Sequence, residues 1–125
     1  MKGEKSIDYF EQAISIYEKL DDKMYLAYAH NSLGISHQNL DNLEEAKANF
    51  EATIVYSQEV GNKATYVNAL HNLGALDIIN QNYTLAKVNL VKGLEMAEAE
   101  NLQLSKVNFY HELSKLYSST NAYSK

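Results

Sequence analysis

The sequence predicts an all-α chain of paired helices, and three observations carry that expectation. Apolar residues recur three and four apart and never alternate over the length of a strand. One segment returns at a constant offset of forty residues. The stretches between apolar runs are short and polar, as turns between helices are.

Six helices follow in order, at about 4–20, 24–40, 43–60, 64–80, 83–100 and 103–119. In the first, Phe10, Ala13, Ile14 and Tyr17 share one face. Leu26, Ala29, Leu33 and Leu40 do the same for the second, and Leu73, Leu76 and Ile79 for the fourth. The breaks fall at Asp21-Asp22-Lys23, Asp41-Asn42, Gly61-Asn62-Lys63, Gln81-Asn82, Glu100-Asn101 and Thr120-Asn121. Gly61 and the asparagines are expected at left-handed helix ends, where they are tolerated better than other residues.

The repeat is read most directly at Ala29-His30-Asn31-Ser32-Leu33-Gly34. It returns as Ala69-Leu70-His71-Asn72-Leu73-Gly74 and, degraded, as Phe109-Tyr110-His111-Glu112-Leu113-Ser114. Ala46/Ala86, Lys47/Lys87 and Asn49/Asn89 keep the same register, and Phe50 and Ile54 map back onto Phe10 and Ile14. The chain therefore reads as one repeat domain: a half repeat at 1–23, repeats at 24–63 and 64–103, and a half repeat at 104–125. A glycine inside a helix costs about 1 kcal/mol relative to alanine, so Gly34 and Gly74 require a compensating contact. Close approach of Gly34 to Ala46 and of Gly74 to Ala86 is the expected one.

With these residues in place, the chain resembles the tetratricopeptide repeat (TPR) family. That family places a bulky residue and then Leu-Gly in its first helix, and a small residue and then an aromatic in its second. Here the bulky position holds His30, Leu70 and Tyr110, and Leu-Gly holds at Leu33-Gly34 and Leu73-Gly74 before becoming Leu113-Ser114. The small position holds Ser6, Ala46 and Ala86, the aromatic slot Phe10, Phe50 and Leu90, and a second small slot Ala13, Thr53 and Gly93. The resemblance covers essentially the whole chain, with two departures. The family's proline after the second helix is missing, and forty residues replace about thirty-four. Six more residues lengthen each repeat by roughly 9 Å of helix, as in a long-helix subgroup of bacterial signalling proteins. The resemblance implies a TPR-like helical-hairpin solenoid, a right-handed superhelix of about six helices. Solenoids finish in polar caps, which both ends here lack, so the sequence reads as a piece of a longer protein whose cut ends would pair in a homodimer.

Composition narrows the functional classes. Eleven basic residues, all lysine, against sixteen acids give a net charge of −5. An acidic chain without arginine is a poor match for nucleic acid, whose phosphates and guanine edges favour arginine's planar fork. No apolar window is long enough for a membrane span and no signal peptide is legible, so the expectation is a cytoplasmic chain without membrane insertion. The absence of cysteine removes disulfides, thiolate ligands and a cysteine nucleophile.

Catalytic residues, metal ligands and cofactor-binding residues are not expected. The neutral-pH proton carriers are His30, His37, His71 and His111, and no HExxH, P-loop or GxSxG pattern accompanies them. His71 and His111 occupy equivalent positions on neighbouring first helices, about 10 Å apart for packed helices, too far for one metal without further ligands. Tyr83 and Tyr123 fall at inter-helix turns and read as packing residues.

In the TPR family the first helices line the ligand groove. The resemblance places in it Tyr28, Asn31, Ile35 and Gln38, then Asn68, His71, Ala75 and Ile78, then Asn108, His111, Lys115 and Ser118. This lining is polar and nearly uncharged. Asparagine offers both donor and acceptor, so it can pair with an extended peptide backbone of any sequence. With Lys115 as the one cation among these positions, the clamp for a terminal carboxylate found in chaperone-tail binders is not expected. The sequence thus points to a protein- or peptide-binding scaffold, the sensory or interaction segment of a larger bacterial signalling or regulatory protein. Two alternatives stay open. One is a structural self-assembly module; the other is the non-catalytic part of an enzyme, such as a kinase or diguanylate cyclase, whose catalytic domain lies outside these residues.

Overall fold

The computed structural model describes residues 2–124, with side-chain surroundings for residues 3–120. Its helices are α1 (Lys2–Leu20), α2 (Lys23–Asn39), α3 (Leu43–Val60), α4 (Lys63–Ile79), α5 (Tyr83–Ala99) and α6 (Gln103–Ser124). No strand occurs among the described residues. The chain contains no proline, so no helix interior is interrupted by a missing N–H.

The turns repeat at half the period of the helical pairs. Asp21, Asp41, Gly61, Gln81 and Asn101 all have positive φ, between 52° and 71°. The residue after each one donates its N–H back to the carbonyl five positions earlier: Asp22 to Tyr17, Asn42 to His37, Asn62 to Ser57, Asn82 to Asp77 and Leu102 to Ala97, at 2.8–3.0 Å. With the bonds spanning three residues from Asp21 to Glu18, Asp41 to Gln38, Gly61 to Gln58, Gln81 to Ile78 and Asn101 to Glu98, at 3.0–3.2 Å, each of these helices closes in a Schellman motif. The same donor residue then opens the next helix, since the carbonyls of Asp22, Asn42, Asn62, Asn82 and Leu102 accept from the residue four positions on. Side-chain caps complete two of these starts: Asp22 Oδ1 accepts from Tyr25 N at 3.2 Å, and Asn62 Oδ1 from Thr65 N at 3.1 Å.

Three expectations about the turns are corrected. The left-handed residue is Asp21, Asp41 or Gln81 more often than an asparagine, while Asn42 and Asn82 are N-caps with φ near −90°. Asp21-Asp22, Asp41-Asn42 and Gln81-Asn82 each hold two adjacent residues that suit either role, and the geometry assigns the first to the left-handed position; at Glu100-Asn101 it is the second, Asn101. The break expected at Thr120-Asn121 is absent, and α6 runs on to Ser124. Neither glycine nor proline stands there to stop it. Tyr83 is the first residue of α5, whereas Tyr123 falls within α6 and its side chain lies outside the described residues.

The chain divides into two compact units, Met1–Ala69 and Leu70–Lys125. In the first, α2 packs against both α1 and α3. Ile14, Leu26, Ala29 and Leu33 form its core, with Ile7, Phe10, Tyr17 and Tyr56 packed against them. Ile14, on the apolar face expected for α1, is a core residue. Thr53 ties α3 to α2 through its hydroxyl, which donates to the carbonyls of Ala27 and Asn49 at 3.3 and 3.0 Å.

The helical glycines pack against bulkier residues than expected. A Cβ at Gly34 would lie 2.6 Å from the ring of Phe50, and one at Gly74 would lie 2.5 Å from Leu90. The nearest neighbour of each glycine is therefore the residue in the aromatic slot, not Ala46 or Ala86. Phe50 and Leu90 are fully buried, and burying a side chain such as Phe50 contributes about 1.5–3 kcal/mol. That gain exceeds the helix-propensity cost of the glycine. In the second unit, where α5 packs on α6, Gly93 accommodates the ring of Phe109 in the same way.

Candidate functional site

In the first unit, Tyr28, Asn31, Ile35 and Gln38 are spaced three and four apart and so lie along one face of α2. Tyr28 and Ile35 are exposed, Asn31 and Gln38 half-buried, and Asn68, in the second turn of α4, is exposed. Tyr28 is held at its hydroxyl by Asn62, whose Nδ2 donates to it at 3.2 Å and lies 3.1 Å from Met24 Sδ. The side chain that caps α4 therefore also positions a residue of the predicted row.

In the second unit, His71, Ala75 and Ile78 on α4 are half-buried, while Asn108, His111, Lys115 and Ser118 on α6 are exposed. Two of these residues are brought together by a third that sequence reasoning passed over. Glu112 is nearly buried, and its Oε1 lies 3.7 Å from His71 Nε2 and 3.5 Å from Lys115 Nζ. His71 also meets the ring of Phe109 edge-on, with centroids 5.7 Å apart. Burial holds the His71 imidazole below its ordinary range, and the Glu112 carboxylate opposes that shift. At neutral pH the imidazole is uncharged and can hydrogen-bond as donor and acceptor.

No protein-family model matches this chain, and no curated protein matches it either. Among the described residues, no three His, Cys, Asp or Glu side chains converge as metal ligands would. Among those residues, too, no helix is long and apolar enough to cross a membrane.

The repeat-matched asparagines Asn49 and Asn89 do more than mark register. Asn49 Oδ1 lies 2.8 Å from His30 Nδ1, and its Nδ2 donates to the Glu45 carbonyl at 2.8 Å. His30 in turn stacks on Tyr56 at 5.6 Å. Asn89 Nδ2 instead donates to Oδ2 of the fully buried Asp77 at 2.9 Å. One position in the repeat thus supports a histidine in one unit and a carboxylate in the other. Asp77 and Glu112 each carry a faint sequence signal, a lone acid within an apolar run (Leu76-Asp77-Ile78; Phe109, Glu112, Leu113, Leu116), although acids are seldom buried.

The tyrosines are also more than incidental packing. Tyr17 stacks on Tyr25 at 5.2 Å, and Tyr25 meets Tyr28 edge-on at 6.1 Å. With Phe10, Ala13 and Ala29 they line a cleft of about 180 Å³ between α1 and α2. Ser32 also lines it.

Proposed function

We propose that the chain is a TPR-like solenoid segment that binds an extended peptide, or an extended segment of a protein, along the exposed row of its first helices. In this reading it serves as the sensory or interaction part of a larger bacterial signalling or regulatory protein. The observation that carries it is the exposure of repeat-equivalent positions. Tyr28 on α2, Asn68 on α4 and Asn108 on α6 stand forty residues apart, and each presents a polar group to solvent while its helix buries the opposite face. The five equivalent turns and the glycine-to-bulky packing of Gly34 and Gly74 support the solenoid itself. An uncharged donor–acceptor lining favours backbone pairing over recognition of one charged residue.

The test is selection of peptides from a random library against the whole chain, followed by calorimetry of the best binder. Asn68→Ala with Asn108→Ala is expected to weaken that binder about tenfold or more and to leave helicity by circular dichroism unchanged. Equal affinity for the double variant would refute the reading.

A second reading, self-assembly, is favoured by the apolar stripe Leu104, Val107, Tyr110 and Tyr117 on α6, of which Leu104 is 83% exposed. If it holds, sedimentation equilibrium gives a concentration-dependent mass that Val107→Glu with Tyr110→Glu abolishes. A monomer at all concentrations dismisses it.

A further inference from the structure

Glu112 holds a carboxylate where its charged neighbours stand back. Only 10% of its side chain reaches solvent, yet among the described residues its ion-pair partners, Lys115 Nζ and His71 Nε2, lie 3.5 and 3.7 Å from Oε1. Charge-assisted hydrogen bonds to carboxylates run at about 2.7–2.9 Å, and a buried charge is costly unless closely paired. The His71 imidazole, kept uncharged at neutral pH by its burial, brings no positive charge to it. The cation beside Oε1 belongs to Lys115, one turn along the same helix and 54% exposed. It shows that a positive group on an aliphatic stem reaches Oε1 from the solvent side. Ile35, eighty residues before Lys115 and so at the equivalent position, is exposed even with α3 packed on α2. Glu112 itself lies beside the exposed row, four residues after Asn108 and three before Lys115 on α6.

We propose that Glu112 is a recognition point for a guanidinium, the arginine side chain of a peptide lying along the row, and that Lys115 fills this point in its absence. The inference rests on the peptide-binding reading and adds a side chain that the peptide carries. The asparagines of the row pair with backbone whatever its sequence, and the carboxylate at its edge supplies one choice of residue. Guanidinium is the better occupant because its planar fork binds a carboxylate bidentately and it is more weakly hydrated than ammonium. A peptide lysine would only repeat what Lys115 already offers. An acidic side chain would set like charge against Glu112, and the net charge of −5 also draws cations to the chain.

The test titrates the whole isotope-labelled chain with N-acetylarginine amide. Saturable shifts are expected at the Glu112 γ-methylene and the Lys115 ε-methylene, with affinity in the millimolar range. The uncharged analogue N-acetylcitrulline amide should give none. Lys115→Ala, which removes the competing ammonium, should tighten binding about twofold or more, and Glu112→Gln should abolish it. Asn68→Ala with Asn108→Ala should leave it unchanged, so the row and this point fail separately: loss of selected-peptide binding tests the row, and arginine amide tests Glu112. The proposal is overturned by absence of saturable shifts, by an equal response to the citrulline analogue, by unchanged or weaker binding in Lys115→Ala, or by binding that survives Glu112→Gln. Preference for N-acetylglutamate amide also overturns it, since Lys115 would then be the recognising group. Should Glu112→Gln lose helicity, the citrulline and Lys115→Ala arms still decide.

Discussion

The ring of Phe50 occupies the space that a side chain at residue 34 would need, coming within 2.6 Å of the point where its Cβ would stand. Gly34→Ala should gain about 1 kcal/mol in helix propensity but lose more to overpacking, which typically costs about 1–3 kcal/mol. Urea denaturation is expected to show a net loss. The loss should shrink in a Phe50→Ala background, which removes the clashing side chain, because the two changes share one contact. A stabilised Gly34→Ala would show that α2 and α3 are not packed through this pair.

The turns give a prediction of opposite sign. Gln81 takes a left-handed conformation, with φ of 62°, at the position equivalent to Gly61. A side chain there carries a penalty of roughly 1–2 kcal/mol that glycine avoids. Gln81→Gly should raise the unfolding free energy by about 1 kcal/mol, and Gly61→Val should lower it by at least as much. Thermal denaturation of both variants checks the pair.

Asn89→Ala should cost more than Asn49→Ala. The first removes a donor to the fully buried Asp77 side chain, and depriving a buried acceptor of its donor costs about 1–3 kcal/mol. The second removes a partner of His30, which is only half-buried, and about 1 kcal/mol is expected. Chemical denaturation of the two variants side by side decides the order.

His71 gives a pH dependence. Burial lowers its folded pKa from 6.5, against the opposing pull of Glu112. The unfolded chain therefore takes up the proton first as pH falls. Stability from this group is complete above pH 6.5 and declines as pH drops from there through the folded value. The groups facing it are Glu112, Lys115 and His111 on α6 and Asn72 on its own helix. His71→Gln should flatten this part of the stability–pH curve while leaving the acid limb of the carboxylates in place. An unchanged curve would mean that His71 titrates as it does in the unfolded chain.

The helices were legible because their apolar spacing and the forty-residue offset are properties of the sequence itself. The turns were legible as places but not as geometry. Asp41-Asn42 and Gln81-Asn82 each offer two residues fit for either the left-handed position or the cap, and only the hydrogen bonding separates the roles. Thr120-Asn121 looked like one more break, yet without glycine or proline it lacked anything to stop α6. The glycines were recognised as contact points, but their partner was misjudged. Small residues were expected to meet small residues, whereas Gly34 makes room for the largest fully buried side chain, Phe50 of the neighbouring helix. Glu112 and Asp77 escaped notice because charged residues belong outside by default. Their burial depends on partners far along the chain, His71 and Asn89, that no local pattern connects to them.

Side-chain amide signals offer the most direct measurement of the proposed function. In a nitrogen–proton correlation titration with the best selected peptide, the NH₂ resonances of the exposed Asn68 and Asn108 should move together and saturate. Those of Asn49 and Asn89, committed to His30 and Asp77, should stay still. Movement of Asn49 and Asn89 with the exposed row unaffected would contradict the account.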